Sequence, residues 1–147
     1  MEPFYDTLKA NGYQKIPFKI SRTQHLLLKA SINGVKGDFI LDTGASNSCV
    51  GFESIATFGL EAKTSLKKAA GAGAVGMHTQ ISEGNLLQIN RWKDANFTLV
   101  IFDLSHVNMA LQEYKVKPIH GIIGADILLQ GQAIIDYYHH HLYLKKL

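Results

Sequence analysis

The stretch Phe39-Ile40-Leu41-Asp42-Thr43-Gly44-Ala45-Ser46-Asn47-Ser48-Cys49-Val50 puts an acid where an acid is expensive. An apolar run delivers Asp42 into a tight turn. A carboxylate at the end of a buried strand is unfavourable unless it is hydrogen-bonded or chemically employed. Gly44 is suited to a sharp backbone turn and to close approach of a ligand's main chain. Thr43 adds a hydroxyl that can bond to backbone inside such a turn. A second stretch, Ile119-His120-Gly121-Ile122-Ile123-Gly124-Ala125-Asp126-Ile127-Leu128, sets two glycines around an apolar pair, with a short helix beginning near Ala125 or Asp126.

Positioning these residues calls for a scaffold of short strands. Apolar runs at Ile16–Ile20, Gln24–Ile32 and Val35–Leu41 are separated by turn residues, and Asn33-Gly34 between the last two is a strong hairpin signal. Further strands are expected at Gly84–Ile89, Phe97–Asp103, Gln132–Tyr137 and His141–Lys145. Helices are expected at Tyr5–Asn11, Phe52–Phe58 and Asp126–Leu129, each followed by a glycine. The pattern is one mostly-β domain. Ala69–Gly76, with Gly71, Gly73 and Gly76, is too poor in side chains to join a core and by composition reads as an ordinary flexible loop.

The chain has 147 residues, 46% of them hydrophobic and 18% charged, as in ordinary globular domains. A net charge of +3 with only short lysine pairs gives no electrostatic track for nucleic acid. Cys49 is the single cysteine, so no intrachain disulfide can form. The N-terminus lacks a secretory layout and no apolar run approaches a membrane span, which points to a cytoplasmic protein with no membrane partner. His139-His140-His141 suggests a metal site. Adjacent strand residues alternate faces, however, so a hairpin turn tipped with histidines is the better reading. No metal or cofactor is expected. Arg91 and Trp92 read as a turn and a partly buried anchor.

The two motifs, in this order, resemble those of the retropepsin-like aspartic proteases, the clan of retroviral proteases and of single pepsin lobes. The resemblance runs from about Gln24 to the C-terminus and rests on Asp42-Thr43-Gly44-Ala45-Ser46 and Gly121-Ile122-Ile123-Gly124. It implies a single-lobe acid protease barrel with one or two short helices over residues 24–147; residues 1–23, by their own pattern a short helix and strand, form an extension whose role the family does not fix. It makes Ala69–Gly76 the tip of a flap hairpin. It implies that Asp42 is catalytic, that Thr43 braces paired turns across subunits, and that Gly44 binds the substrate backbone, with Ala45 supporting the turn. Ser46, Asn47, Ile122, Ile123 and the flap glycines would meet a polypeptide substrate. Retroviral members usually carry Arg after the Ile-Ile-Gly segment; this chain has Ala125.

Aspartic proteases use two carboxylates that share one proton, because like charges about 3 Å apart cannot both ionise. This chain has one Asp-Thr-Gly and is too short for two lobes. The second carboxylate is therefore expected from another copy across a two-fold axis. Asp126, the intrachain alternative, is better placed to begin the short helix. The intact Asp42-Thr43-Gly44 favours an endopeptidase over a catalytically silent dimerisation or peptide-binding module of the same fold.

Overall fold

A computed structural model describes residues 3–64 and 78–147. The expected flap-tip residues Gly71, Gly73 and Gly76 lie outside the described residues. In chain order, helix α1 (Pro3–Ala10) is followed by strands β1 (Tyr13–Pro17), β2 (Lys19–Ile20), β3 (Leu26–Ile32), β4 (Val35–Leu41) and β5 (Cys49–Val50). Helix α2 (Ser54–Phe58) precedes β6 (Lys63–Thr64), β7 (Gln80–Ile89) and β8 (Trp92–Ile101). Helix α3 (Ser105–Glu113), strand β9 (Gly121–Ile123), helix α4 (Ala125–Gln130) and strands β10 (Ile134–Asp136) and β11 (His141–Lys145) complete the described elements.

Eight strands form one sheet in the order β2-β3-β4-β9-β5-β8-β7-β6, and β3 also pairs with β7, so the sheet curls back on itself. The fold is mostly β, as the sequence pattern requires. The β3–β4 hairpin turns at Asn33 and Gly34, both with positive φ (52° and 84°), and Ile32 pairs with Val35 across them. Strand β4 then runs parallel to β9, with Phe39 opposite Gly121, Ile40 opposite Ile122 and Leu41 opposite Ile123. This pairing brings the two sequence motifs side by side.

The pleat of these two strands separates two apolar clusters. Phe39, Leu41 and Ile123 enter the larger core with Leu28, Phe58 and Ile127. Ile40 and Ile122 point to the other side, into a cluster with Phe102, Leu104 and Leu111. Burial on both faces explains why β4 reads as a nearly continuous apolar run toward Asp42. Each such side chain contributes about 1.5–3 kcal/mol through burial, so the strand that carries the acid is firmly fixed.

The structure departs from the sequence pattern in several places. The expected strand Ile16–Ile20 breaks at Phe18, whose N–H donates to the His140 carbonyl (3.0 Å) while its ring stacks on that histidine. Consequently β1 pairs with β11 and β2 with β3. Helix α1 lays Phe4 edge-on against Tyr143 (5.9 Å), so the N-terminal segment and the C-terminal strand form one structure. Strand β8 begins at Trp92, which is fully buried with its indole N–H donating to the Lys145 carbonyl (2.8 Å). Helix α3 is present where no helix was expected. Residues Tyr137 to His140 turn the β10–β11 hairpin, and Asp136 accepts bonds from the His139 N–H (3.1 Å) and pairs with its Nδ1 (2.7 Å). Among the described residues no three His, Cys, Asp or Glu are grouped to hold a metal ion, and no helix is long and apolar enough to cross a membrane.

Candidate active site

Asp42 follows directly on β4. Its N–H donates to the Ile123 carbonyl (2.9 Å), which extends the β4–β9 pairing by one residue and fixes the backbone of the acid. Its Oδ1 accepts the Gly44 N–H (2.8 Å), and its carbonyl accepts the Ala45 N–H (3.3 Å), closing the turn. Asp42 is half-buried; Thr43, Gly44, Ser46 and Asn47 are exposed, and Ala45 is buried. Gly44 does not occupy the left-handed region. A Cβ there would lie 3.2 Å from Asp42 Oδ1, so glycine serves the close approach of backbone to carboxylate rather than an unusual φ.

The turn is bolted to the second motif. Ala125 N–H donates to the Ala45 carbonyl (2.7 Å). Ser48 donates to Asp126 Oδ1 through both its N–H (3.0 Å) and its hydroxyl (2.7 Å), and its Oγ accepts the Gly124 N–H (2.9 Å). Asp126 thus begins α4, as expected, but its carboxylate is occupied by Ser48. It braces the turn. Ser48 was not singled out from the sequence. In the sequence it is one of three consecutive polar residues before Cys49-Val50, with nothing local to show that it alone is buried, at 1% exposed.

The two glycines of the second motif exist for the first. A Cβ on Gly121 would overlap the Cys49 carbonyl oxygen, and one on Gly124 would lie 2.6 Å from the Ala45 carbonyl oxygen. Ile122 and Ile123 are buried, one in each apolar cluster, so in the single chain their side chains offer almost no surface to a ligand. What Ile123 supplies is the carbonyl that holds the Asp42 N–H. Burial, reinforced by the charges of Asp126 and Asp42, pushes the Cys49 thiol up to about 12, although a backbone N–H bond at Ile122 opposes the shift.

Strands β6 and β7 pair antiparallel, with Lys63 opposite Ile81 and Thr64 opposite Gln80, so the chain leaves and re-enters the sheet side by side around residues 65–77. A surface depression of about 650 Å³ lies elsewhere, over Lys29, Gly37, Asp38 and Gln88, and does not include Asp42.

Residues 28–127 match the family model described as aspartyl protease. The chain belongs to the aspartyl protease family. No curated protein matches it in sequence. Among solved structures it is similar to a retropepsin-like aspartic protease from Rickettsia conorii, at 18% identity and a TM-score of 0.60, over 91% of this chain and 92% of that one. It is similar to the retroviral protease-like domain of Ddi1 from Leishmania major, at 18% identity and TM-score 0.56, over 84% and 90%. The EIAV protease in complex with an inhibitor aligns at 14% identity and TM-score 0.57, over 80% and 98%. These likenesses establish a retropepsin fold for this member of the aspartyl protease family.

Proposed function

We propose that the protein is an aspartic endopeptidase whose site is assembled from two copies of the chain, each contributing Asp42. One observation carries the reading: Asp42 is half-exposed on a turn held by its own Gly44 N–H and by the Ser48–Asp126–Gly124 brace, while the nearest motif acid, Asp126, is engaged elsewhere. A partly exposed carboxylate held in a fixed turn suits a reaction that requires a second carboxylate from outside the chain. In the dyad, the ionised member takes a proton from water as that water attacks the peptide carbonyl. The protonated member donates a hydrogen bond to the carbonyl oxygen as it becomes an alkoxide. Thr43, exposed beside Asp42, would brace the partner turn. Gly44 offers its open side to the substrate backbone, with Ser46 and Asn47 further along the same rim. The paired strands β6 and β7 lead to the segment that would cover an extended polypeptide.

The test uses Asp42→Asn, which keeps the shape of the side chain but cannot deprotonate water. The variant should fold and lose peptidase activity. When mixed in equal amounts with wild-type chains under demonstrated subunit exchange, it should leave about a quarter of dimers fully wild-type. Activity per wild-type chain should fall accordingly. Full activity in the variant, or no suppression in the mixture, refutes the two-chain site. An inactive wild-type dimer that binds peptides would identify a silent binding module.

A further inference from the structure

The apolar surface beside Asp42 is not bare. Ile40, two residues before Asp42 on β4, and its parallel neighbour Ile122 are 3% and 2% exposed. Ala45, from the turn itself, is 3% exposed and belongs to the same cluster. What covers them comes from the segment between β8 and β9. Leu104 and Leu111 are 1% and 0% exposed, and Val107 packs against them. Leu104, Val107 and Leu111 recur at helical spacing and form one face of α3.

This covering segment is tied to the sheet at both ends, the Phe102 N–H donating to the Val50 carbonyl (3.1 Å) and the His120 N–H to the Asp38 carbonyl (2.8 Å), and between them it is held by bonds of its own. Asp103 Oδ1 accepts the Ser105 N–H (2.9 Å) at the start of α3. The Asn108 side chain makes two bonds with the backbone of Ile119, accepting its N–H (2.8 Å) and donating to its carbonyl (3.2 Å). The Val116 N–H donates to the Leu111 carbonyl (2.9 Å) just beyond the helix. A segment so fastened is a wall, not a lid.

We infer that α3 is a fixed specificity wall: Leu104, Val107 and Leu111 fill the apolar surface flanking the Asp42 turn, so a peptide side chain next to the scissile bond must be small. This rests on the peptidase reading and deepens it by naming a substrate class, peptides with Gly, Ala or Ser at that position. The reason is packing. A protein interior is close-packed, and a Leu or Phe side chain entering there would need space that Leu111 already occupies. Hydrophobic pockets discriminate by one methylene at about 10–200-fold, so a whole isobutyl or benzyl group should be rejected at the upper end of that range.

The test compares peptides that differ only in the residue at the cleaved bond, Ala, Leu or Phe, on wild-type protein and on Leu111→Ala. The same peptides are titrated against Asp42→Asn and the Asp42→Asn/Leu111→Ala double variant, where binding is read without turnover. Val107→Ala, at the half-buried edge of the same face, replaces Leu111→Ala if that variant does not fold. Wild-type kcat/KM should favour Ala over Phe by at least about tenfold. The truncation should shrink that ratio several-fold, and the binding titrations should follow the same order. Equal handling of Ala and Phe by the wild type overturns the wall, as does a ratio that the truncation leaves unchanged. If the wild type cleaves nothing while Asp42→Asn binds the Ala peptide preferentially, the wall stands and the peptidase reading falls. If the chain neither cleaves nor binds any of them, the wall falls with it.

Discussion

Replacing Gly124 by Ala should damage the Asp42 turn from a distance, and the structure fixes the reason. The φ of Gly124 is −107° and its ψ −168°, an extended conformation that alanine adopts without strain. The penalty is therefore steric. The added Cβ would sit 2.6 Å from the Ala45 carbonyl oxygen and 3.1 Å from the Asn47 carbonyl group, where ordinary contacts begin at 3.4 Å. The shortfall against Ala45 is 3.4 − 2.6 = 0.8 Å, and the obstacle is backbone, which cannot rotate aside. Relief requires the turn to move, stretching the Ala125 N–H bond to Ala45 and the Gly124 N–H bond to Ser48. Overpacking of this kind costs about 1–3 kcal/mol. At about 2–4 °C per kcal/mol, the melting temperature should fall by roughly 2–12 °C. A shift of about 1 Å in a catalytic group costs on the order of 100-fold in rate. Gly59→Ala is the control. Its φ is 61° and a Cβ there meets nothing within 4 Å, so it should cost about 1–2 kcal/mol in backbone strain while the turn stays in place. Calorimetry and peptidase assays on both variants decide the matter, with the Gly44 amide resonance reporting turn geometry independently of activity. The steric argument is refuted if Gly124→Ala keeps wild-type turnover and an unshifted Gly44 signal, or if Gly59→Ala loses as much activity at equal stability.

Asp126→Ala should remove the acceptor for two Ser48 donors and destabilise the fold by about 2–4 kcal/mol, whereas Asp126→Asn, which keeps Oδ1, should cost less than half as much; urea unfolding measures both. Cys49, 4% exposed and with its thiol pushed up to about 12, should resist disulfide-exchange reagents at about pH 8 in the folded protein and react at once after denaturation. Fast reaction with native protein would contradict that burial. Burial pushes the Asp38 carboxyl up, but Lys29 and Lys117 outweigh it and hold the group below its usual 3.8. The pairing therefore stabilises the fold above that value and is lost as pH falls through the lower folded one. Because both lysines are largely exposed, Asp38→Asn should cost only about 0.5 kcal/mol at neutral pH and nothing measurable near pH 2.

The residues that announce themselves in the sequence are those whose local pattern suffices. Asn33-Gly34 specifies a two-residue turn, and Val35–Leu41 and His141–Lys145 are strands with the expected ends. Helix α3 carried a readable signal that was overlooked. Leu104, Val107 and Leu111 have helical spacing and Asp103 accepts the Ser105 N–H at the start of the helix, but the strand pattern of Phe97–Asp103 runs into that aspartate. The break at Phe18 had no local cue, because it arises from His140 far along the chain. Asp126 was legible as a helix starter and illegible as a brace, since its two donors sit on Ser48 and only the folded chain brings them to it. Gly121 and Gly124 show the same limit. Glycine in a strand-turn-helix corner suggests conformational freedom, yet here both meet the neighbouring backbone too closely for any Cβ.

Those close approaches bear on how the proposed dimer would divide its labour. The bonds to the Asp42 turn from Ile123, Gly44, Ala125, Ser48 and Asp126 form within the chain and need no partner. The entropy lost in ordering the carboxylate is then met when each chain folds, not when two chains meet. Association has only to register two preformed turns, a task for exposed groups such as Thr43. Ala125 stands where retroviral relatives usually carry Arg, so no guanidinium at that point joins the interface to the brace. Catalytic geometry and dimer affinity should consequently be separable in this chain. Gly124→Ala acts on the brace alone, and should lower turnover per dimer while the dimer dissociation constant stays near its wild-type value. A parallel loss of affinity would mean that the turn is shaped by its partner, and that the intrachain bonds are a framework rather than the finished site.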